Sequence, residues 1–140
     1  MSKLFKSRNN IRVNLWELSG VALDYAVAIG EEKLSKIWII TKPYVDTPYL
    51  QINDASLEND DVYSPSTDWS QGGPIIEREK ISLLYYDQYQ QWEAGVEADR
   101  GYGVKYSPIS QIGDTPLIAA MRCYVASKLG DEVEIPEELK

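Results

Sequence analysis

The sequence predicts an α+β domain, an antiparallel or mixed sheet of about 5–6 strands with two main helices packed on one face. Three observations lead there. Short β-branched or alternating apolar runs recur along the chain, as in "IRVNL", "KIWIIT" and "ISLLYY". Two longer apolar segments, "GVALDYAVAI" and "PLIAAMRCYVASKL", carry helix start and stop signals. Polar stretches rich in Gly, Pro, Ser and Asp punctuate the rest.

Residues 1–10, "MSKLFKSRNN", read as a flexible basic arm, and 11–140 as a single domain. The arm has no apolar core of the kind a secretory leader needs. Ile11, Val13 and Leu15 alternate with polar residues and suggest a first strand. Ser19 is placed to cap a helix, with Leu18 and Leu23 as a hydrophobic staple, and Gly30 is placed to end it. Asp24 is the only charge in that helix, which suggests packing on more than one side. "KIWIIT" reads as a strand, and "YVDTPYLQI" extends the sheet beyond Pro43, with Pro48 confining part of it to an edge.

Residues 53–61, "NDASLENDD", form an acidic loop without the glycine and spacing of a calcium-binding loop. Pro74 is expected to open a short helix, "PIIEREK". "ISLLYY" and "QWEAGVEA" suggest a hairpin, with Trp38, Tyr85, Tyr86 and Trp92 suited to strands and core. "DRGYGVKYSPISQIGD" reads as loop. The last helix has the clearest bounds: Thr115 caps it, Pro116 opens it, Lys128 suits its final turn and Gly130 ends it. Ile118, Met121, Val125 and Leu129 give it a core-facing stripe. "EVEIP" adds a terminal strand.

Composition narrows function by exclusion. The chain has no histidine, which removes imidazole general bases, the Ser-His-Asp triad and the usual zinc sites. Its one cysteine, Cys123, excludes an intrachain disulfide, fits a reducing compartment and reads as a small core residue. A net charge of −8 opposes direct nucleic-acid binding, which needs clustered Lys and Arg, and favours basic partners. No apolar stretch is long enough to span a membrane. No metal site and no cofactor is expected, and Glu77, Glu79 and Glu93 read as surface carboxylates before they read as an acid/base pair.

One stretch invites a binding reading. In "YSPSTDWSQGGP" a tryptophan stands beside an aspartate within a run of hydroxyls, glycines and prolines. Trp69 offers a flat stacking face, Asp68 an acceptor, and Ser66 and Thr67 hydroxyls. Gly72 and Gly73 let backbone approach a ligand ahead of a helix start. Arg78 could hold a phosphate in a bidentate grip, and Arg122, with Thr115 on its face of the last helix, could hold an anion. The plainer alternative is a compact turn pinned by its own tryptophan, with Asp68 bonding nearby amides and Arg122 covering apolar neighbours.

"LSGVALDYAVA", "YSPSTDWSQGGPIIERE" and "TPLIAAMRCYVASKLGDEVEIP" together resemble the signature blocks of the NinX-like domain of phage and prophage proteins, a family of unknown function. The resemblance runs from about Asn14 to Leu139 and is weak over 37–61. It implies an accessory phage protein acting in the cytoplasm of an infected host, and it carries no catalytic residue over. The expectation is therefore a non-catalytic binder of a small anionic or nucleotide-like ligand, held by Ser66, Thr67, Asp68, Trp69, Gly72, Gly73, Arg78, Thr115 and Arg122. Such a protein could keep a host defence signal out of circulation. The alternative is an acidic inhibitor that occupies a basic surface of a host protein. The aromatic surplus also leaves room for a homo-oligomer.

Overall fold

The computed structural model describes residues 9–53, 61–99 and 105–140. In chain order the elements are β1 (Asn10–Asn14), α1 (Gly20–Gly30), β2 (Ile37–Ile40), β3 (Tyr49–Ile52), β4 (Asp61–Val62), α2 (Trp69–Glu79), β5 (Ser82–Tyr86), β6 (Gln91–Asp99), β7 (Lys105–Gly113), α3 (Pro116–Leu129) and β8 (Glu132–Pro136). Short 3-10 turns cover Leu15–Glu17, Leu34–Lys36 and Glu137–Leu139. The α+β class stands. The single broad sheet does not: among the described residues the strands form three small antiparallel sheets, β1–β8, β2–β3–β4 and β5–β6–β7. Three helices pack among them.

Helices α1 and α3 stand at the centre. Seven successive residues of α1, Ala22 to Ala28, are buried, so it has no solvent face to speak of. Helix α3 buries Leu117, Ala119, Ala120, Met121, Cys123, Tyr124 and Val125. It packs on β6 and β7 along one side and on α1 along another. A helix covered on several sides loses the one-stripe pattern of a surface helix, so the predicted stripe of Ile118, Met121, Val125 and Leu129 is only part of its apolar surface.

The ends of α3 are set as its sequence suggests. Ile118 N donates to Thr115 Oγ1 at 3.1 Å, and Gly130 follows with φ 91°. Helix α1 keeps its expected bounds, but neither end is fixed in the expected way. Ser19 stands at the cap position, but its side chain makes no capping bond. The left-handed residue after the helix is Glu32, φ 58°, not Gly30. Glycine at position 30 serves packing instead: a Cβ there would lie 2.8 Å from Tyr124 Cε2.

Two other expectations need correction. Helix α2 starts at Trp69, five residues before Pro74, so both glycines and the proline lie inside its first two turns. The stretch read as loop after residue 99 contains β7, which pairs with β6 in register Glu93↔Ile112, Val96↔Ile109 and Ala98↔Tyr106. Between the last two pairs β7 carries an extra residue, and Pro108 falls at that bulge on an edge strand, where a missing N–H is tolerated. The β5–β6 hairpin forms as expected, from Ser82↔Gly95 to Tyr86↔Gln91. Its aromatics, however, are not core: Tyr85 and Tyr86 are exposed and Trp92 only half-buried, as is Trp38 on β2. The acidic loop lies outside the described residues over 54–60, as does the basic arm up to residue 8.

Candidate functional site

The stretch Tyr63 to Pro74 folds as a tight turn running into a helix, and hydrogen bonds account for most of its shape. Thr67 N and Asp68 N both donate to Ser64 O, at 3.1 and 2.9 Å. Asp68 then caps α2: its Oδ1 accepts from Ser70 N at 2.9 Å and from Ser70 Oγ at 2.7 Å. Those bonds hold the Asp68 carboxyl below its usual range. Gln71 clamps the entering chain, accepting from Ser64 N at 2.8 Å and donating to Val62 O at 2.9 Å. Such a cap stabilises a helix by about 1 kcal/mol. It also places a carboxylate where a phosphate would have to sit.

Beneath the turn lies a buried carboxylate. Ser66 N donates to Asp24 Oδ1 at 2.8 Å, across from α1. The Ser66 hydroxyl is fully buried and meets no partner in good hydrogen-bond geometry, though it lies close enough to Asp24 to favour the carboxylate. Burial outweighs both contacts and raises the Asp24 pKa to about 6. Tyr63, also buried, has its phenol pushed up by burial and by the charges of Glu31 and Asp24.

The glycines divide in role. A Cβ on Gly72 would meet Pro65 O at 2.4 Å and Leu117 Cδ2 at 2.7 Å, so this glycine lets α2 press against the turn and α3. A Cβ on Gly73 would meet only Trp69 Cε3, at 3.9 Å. The Trp69 ring therefore lies back over Gly73, one helical turn on, and it is 53% exposed. The tryptophan does not pin the turn; Asp68, Gln71 and Asp24 do.

Both arginines are held by hydrogen bonds, Arg78 by carboxylates and Arg122 by backbone carbonyls. Arg78 grips Glu31 with both terminal nitrogens, at 3.1 and 2.6 Å, and its Nε donates to Glu79 Oε2 at 2.8 Å. Tyr124 Oη donates to the same Glu31 carboxylate. Lys128 Nζ lies 3.1 Å from Glu79 Oε1, and both cations lie over the Tyr124 ring. This network ties the ends of α1 and α2 to α3. Burial raises Glu31, but the Arg78 and Tyr124 bonds outweigh it, and the carboxyl ends below its ordinary range. Arg122 donates from Nε to Leu18 O at 2.8 Å and from Nη1 to Ile112 O at 2.9 Å, stapling the chain before α1 to β7. Burial lowers its pKa, with Asp114 opposing.

The nine residues singled out from the sequence lie on the turn, α2 and α3, and the contact of Gly72 with Leu117 brings the turn beside the Thr115 end of α3. Ser66, Thr67, Asp68, Trp69, Gly72 and Gly73 belong to the turn and the first turns of α2, and Arg78 to its last turn. Thr115 caps α3. Gly72 meets α3 at Leu117, whereas Arg122 is five residues further on, about 140° around the helix. Sequence reasoning missed Glu31 and Tyr124, whose partners lie far along the chain, and Gln71, whose bonds to Ser64 and Val62 are local. The lone charge of α1 was the one available signal for Asp24.

A family model described as "Bacteriophage P22, NinX" matches residues 14–128. The chain belongs to the NinX family. The match takes in α1, the capped turn, α2 and nearly all of α3, so the Asp24–Ser66 and Arg78–Glu31 contacts both fall inside the NinX domain. A search of curated proteins gave no match. Among the described residues no helix is long and apolar enough to cross a membrane, and no group of three or more His, Cys, Asp or Glu could hold a metal ion.

The described surface also carries a groove of about 630 Å³ that the sequence did not suggest, lined by Arg12, Asn14, Leu129, Asp131, Glu132 and Glu134. Arg12 lies across from Glu134 in the β1–β8 ladder, and its Nη1 is 3.7 Å from Glu132 Oε1. Three carboxylates and one guanidinium line it at the C-terminal end of α3, where the helix dipole is also negative.

Proposed function

We propose that this NinX-family protein is a phage accessory factor that acts by binding rather than catalysis, in the host cytoplasm, and that its partner is a protein with a basic surface. The observation that carries this reading is the acidic groove at the end of α3. The pairing of Arg78 with Glu31 and Glu79 supports it as well, since that cation is already met by two carboxylates. With a net charge of −8, the field outside the molecule favours approach by a cationic face. Affinity capture from host lysate over a salt series tests the proposal. The captured protein should be lost as salt rises, and lost at low salt in a Glu132→Lys/Glu134→Lys variant. Capture indifferent to both salt and charge reversal would sink it.

Trp69 supports a second reading. Its exposed indole could stack on a nucleotide-like ligand, and Thr67 stands exposed in the turn just before it. Titration with a nucleotide panel, cyclic dinucleotides included, should then change tryptophan fluorescence, and Trp69→Ala should remove the change. A flat response to every member eliminates that ligand class.

A further inference from the structure

The two edges of the β5–β6–β7 sheet are unlike. Strand β7 carries a bulge and Pro108, devices that stop an edge from recruiting another strand. Strand β5, "SLLYY", has neither and carries no charge. Among the described residues it pairs only with β6, which leaves its other row of backbone N–H and C=O groups open. Its side chains are exposed to a degree unusual for such residues: Leu84 55%, Tyr85 43% and Tyr86 39%. On the outer face, Leu84, Glu93 and Ile112 stand side by side across the three strands, and Tyr86 Oη donates to Glu93 Oε1 at 3.0 Å. Ile112 is also exposed, at 47%.

We propose that β5 is a self-association edge, and that two copies of this chain join it antiparallel about a two-fold axis near Leu84 to make one six-stranded sheet. Three features fit a second copy. An antiparallel pair of identical strands is self-complementary, as a closed two-fold contact requires. The uncharged run ends in exposed Lys80 on one side and exposed Asp87 on the other. Antiparallel pairing brings the Lys80 end of each copy to the Asp87 end of the other. The rest of an acidic molecule would repel its twin, but this strand holds no carboxylate. Leu84 would face Leu84, Leu83 would face Tyr85, and Ser82 would face Tyr86, so each side chain meets one from the same side of the sheet.

Sedimentation velocity of the full chain over a concentration series tests this. Wild type should pass from monomer to dimer. Leu84→Lys, which sets two like charges across the axis at an exposed site, should weaken the dimer at least tenfold while the melting transition persists. Lys80→Asp should also weaken it, and Lys80→Asp/Asp87→Lys should restore it. In the dimer, hydrogen exchange at the amides of Ser82–Tyr86 should slow with concentration. A chain that stays monomeric throughout overturns the proposal and leaves the edge to a strand from another protein. A dimer unchanged by Leu84→Lys and by Lys80→Asp overturns it equally.

Discussion

Ser66 N donates 2.8 Å to Asp24 Oδ1, so the turn that launches α2 is anchored on a carboxylate buried within α1. Burial of that group raises its pKa from 3.8 to about 6. The folded state therefore holds the Asp24 proton more tightly than the unfolded chain does. This stabilisation is full below pH 3.8 and is lost as pH rises through 6. Acidification over that window should add up to about 3 kcal/mol. Glu31, Glu79 and Asp68 are depressed, and their contributions fade as pH falls through their folded values. Urea melts from pH 7 to 4 should show a stability maximum near pH 5, and Asp24→Asn should flatten the slope between pH 6 and 5.

Gly72 and Gly73 are adjacent, yet alanine should act on them in opposite directions. At Gly72 the new methyl would strike Pro65 O and the Leu117 side chain, and a loss of about 2–3 kcal/mol is expected. At Gly73 it would make only an ordinary contact with Trp69, and the gain in helix propensity should stabilise the fold by about 0.5–1 kcal/mol. Thermal melts of the two single variants read out both signs.

The Arg78–Glu31 pair should show strong coupling. Glu31 is 11% exposed, so removing Arg78 leaves a nearly buried carboxylate with the Tyr124 hydrogen bond and the weaker pull of Lys33. Arg78→Met should destabilise by about 2 kcal/mol at pH 7, less than for a fully buried pair because Arg78 itself is half-exposed. Adding Glu31→Gln should recover part of that loss. A double-mutant cycle in chemical denaturation measures the coupling.

Cys123 should be inert in the folded protein. Its thiol is buried, donates to Ile109 O at 3.3 Å, and has its pKa raised by burial to about 11. Reaction with an aromatic disulfide reagent at pH 8 should therefore wait on unfolding.

What the sequence disclosed about the fold was local. The limits of α3 were readable because Thr115, Pro116 and Gly130 act on their own backbone. The start of α2 was not, since two glycines and a proline look like breakers; the Asp68 cap and the close fit of Gly72 against Pro65 and Leu117 outweigh propensity costs of about 1 kcal/mol per glycine. Strand β7 was hidden by Pro108, which an edge bulge absorbs. The candidate site failed to announce its geometry for a related reason. Arg78 and Arg122 were visible as cations, but Glu31 and Leu18, the partners that tie them across the fold, lie 47 and 104 positions away, and no short-range pattern joins them.

The β1–β8 ribbon bears on how the protein emerges from the ribosome. Val13 pairs with Val133, Leu15 N reaches Asp131 O, and Glu137 N reaches Asn9 O. While a nascent chain is growing, the early strand has no mate until residues beyond 131 have cleared the exit tunnel, and its apolar side chains must stay sheltered meanwhile. Until that ribbon closes, β1 lacks the strand that takes up its backbone hydrogen bonds, and a ribosome-tethered chain stays open there to chaperones and proteases.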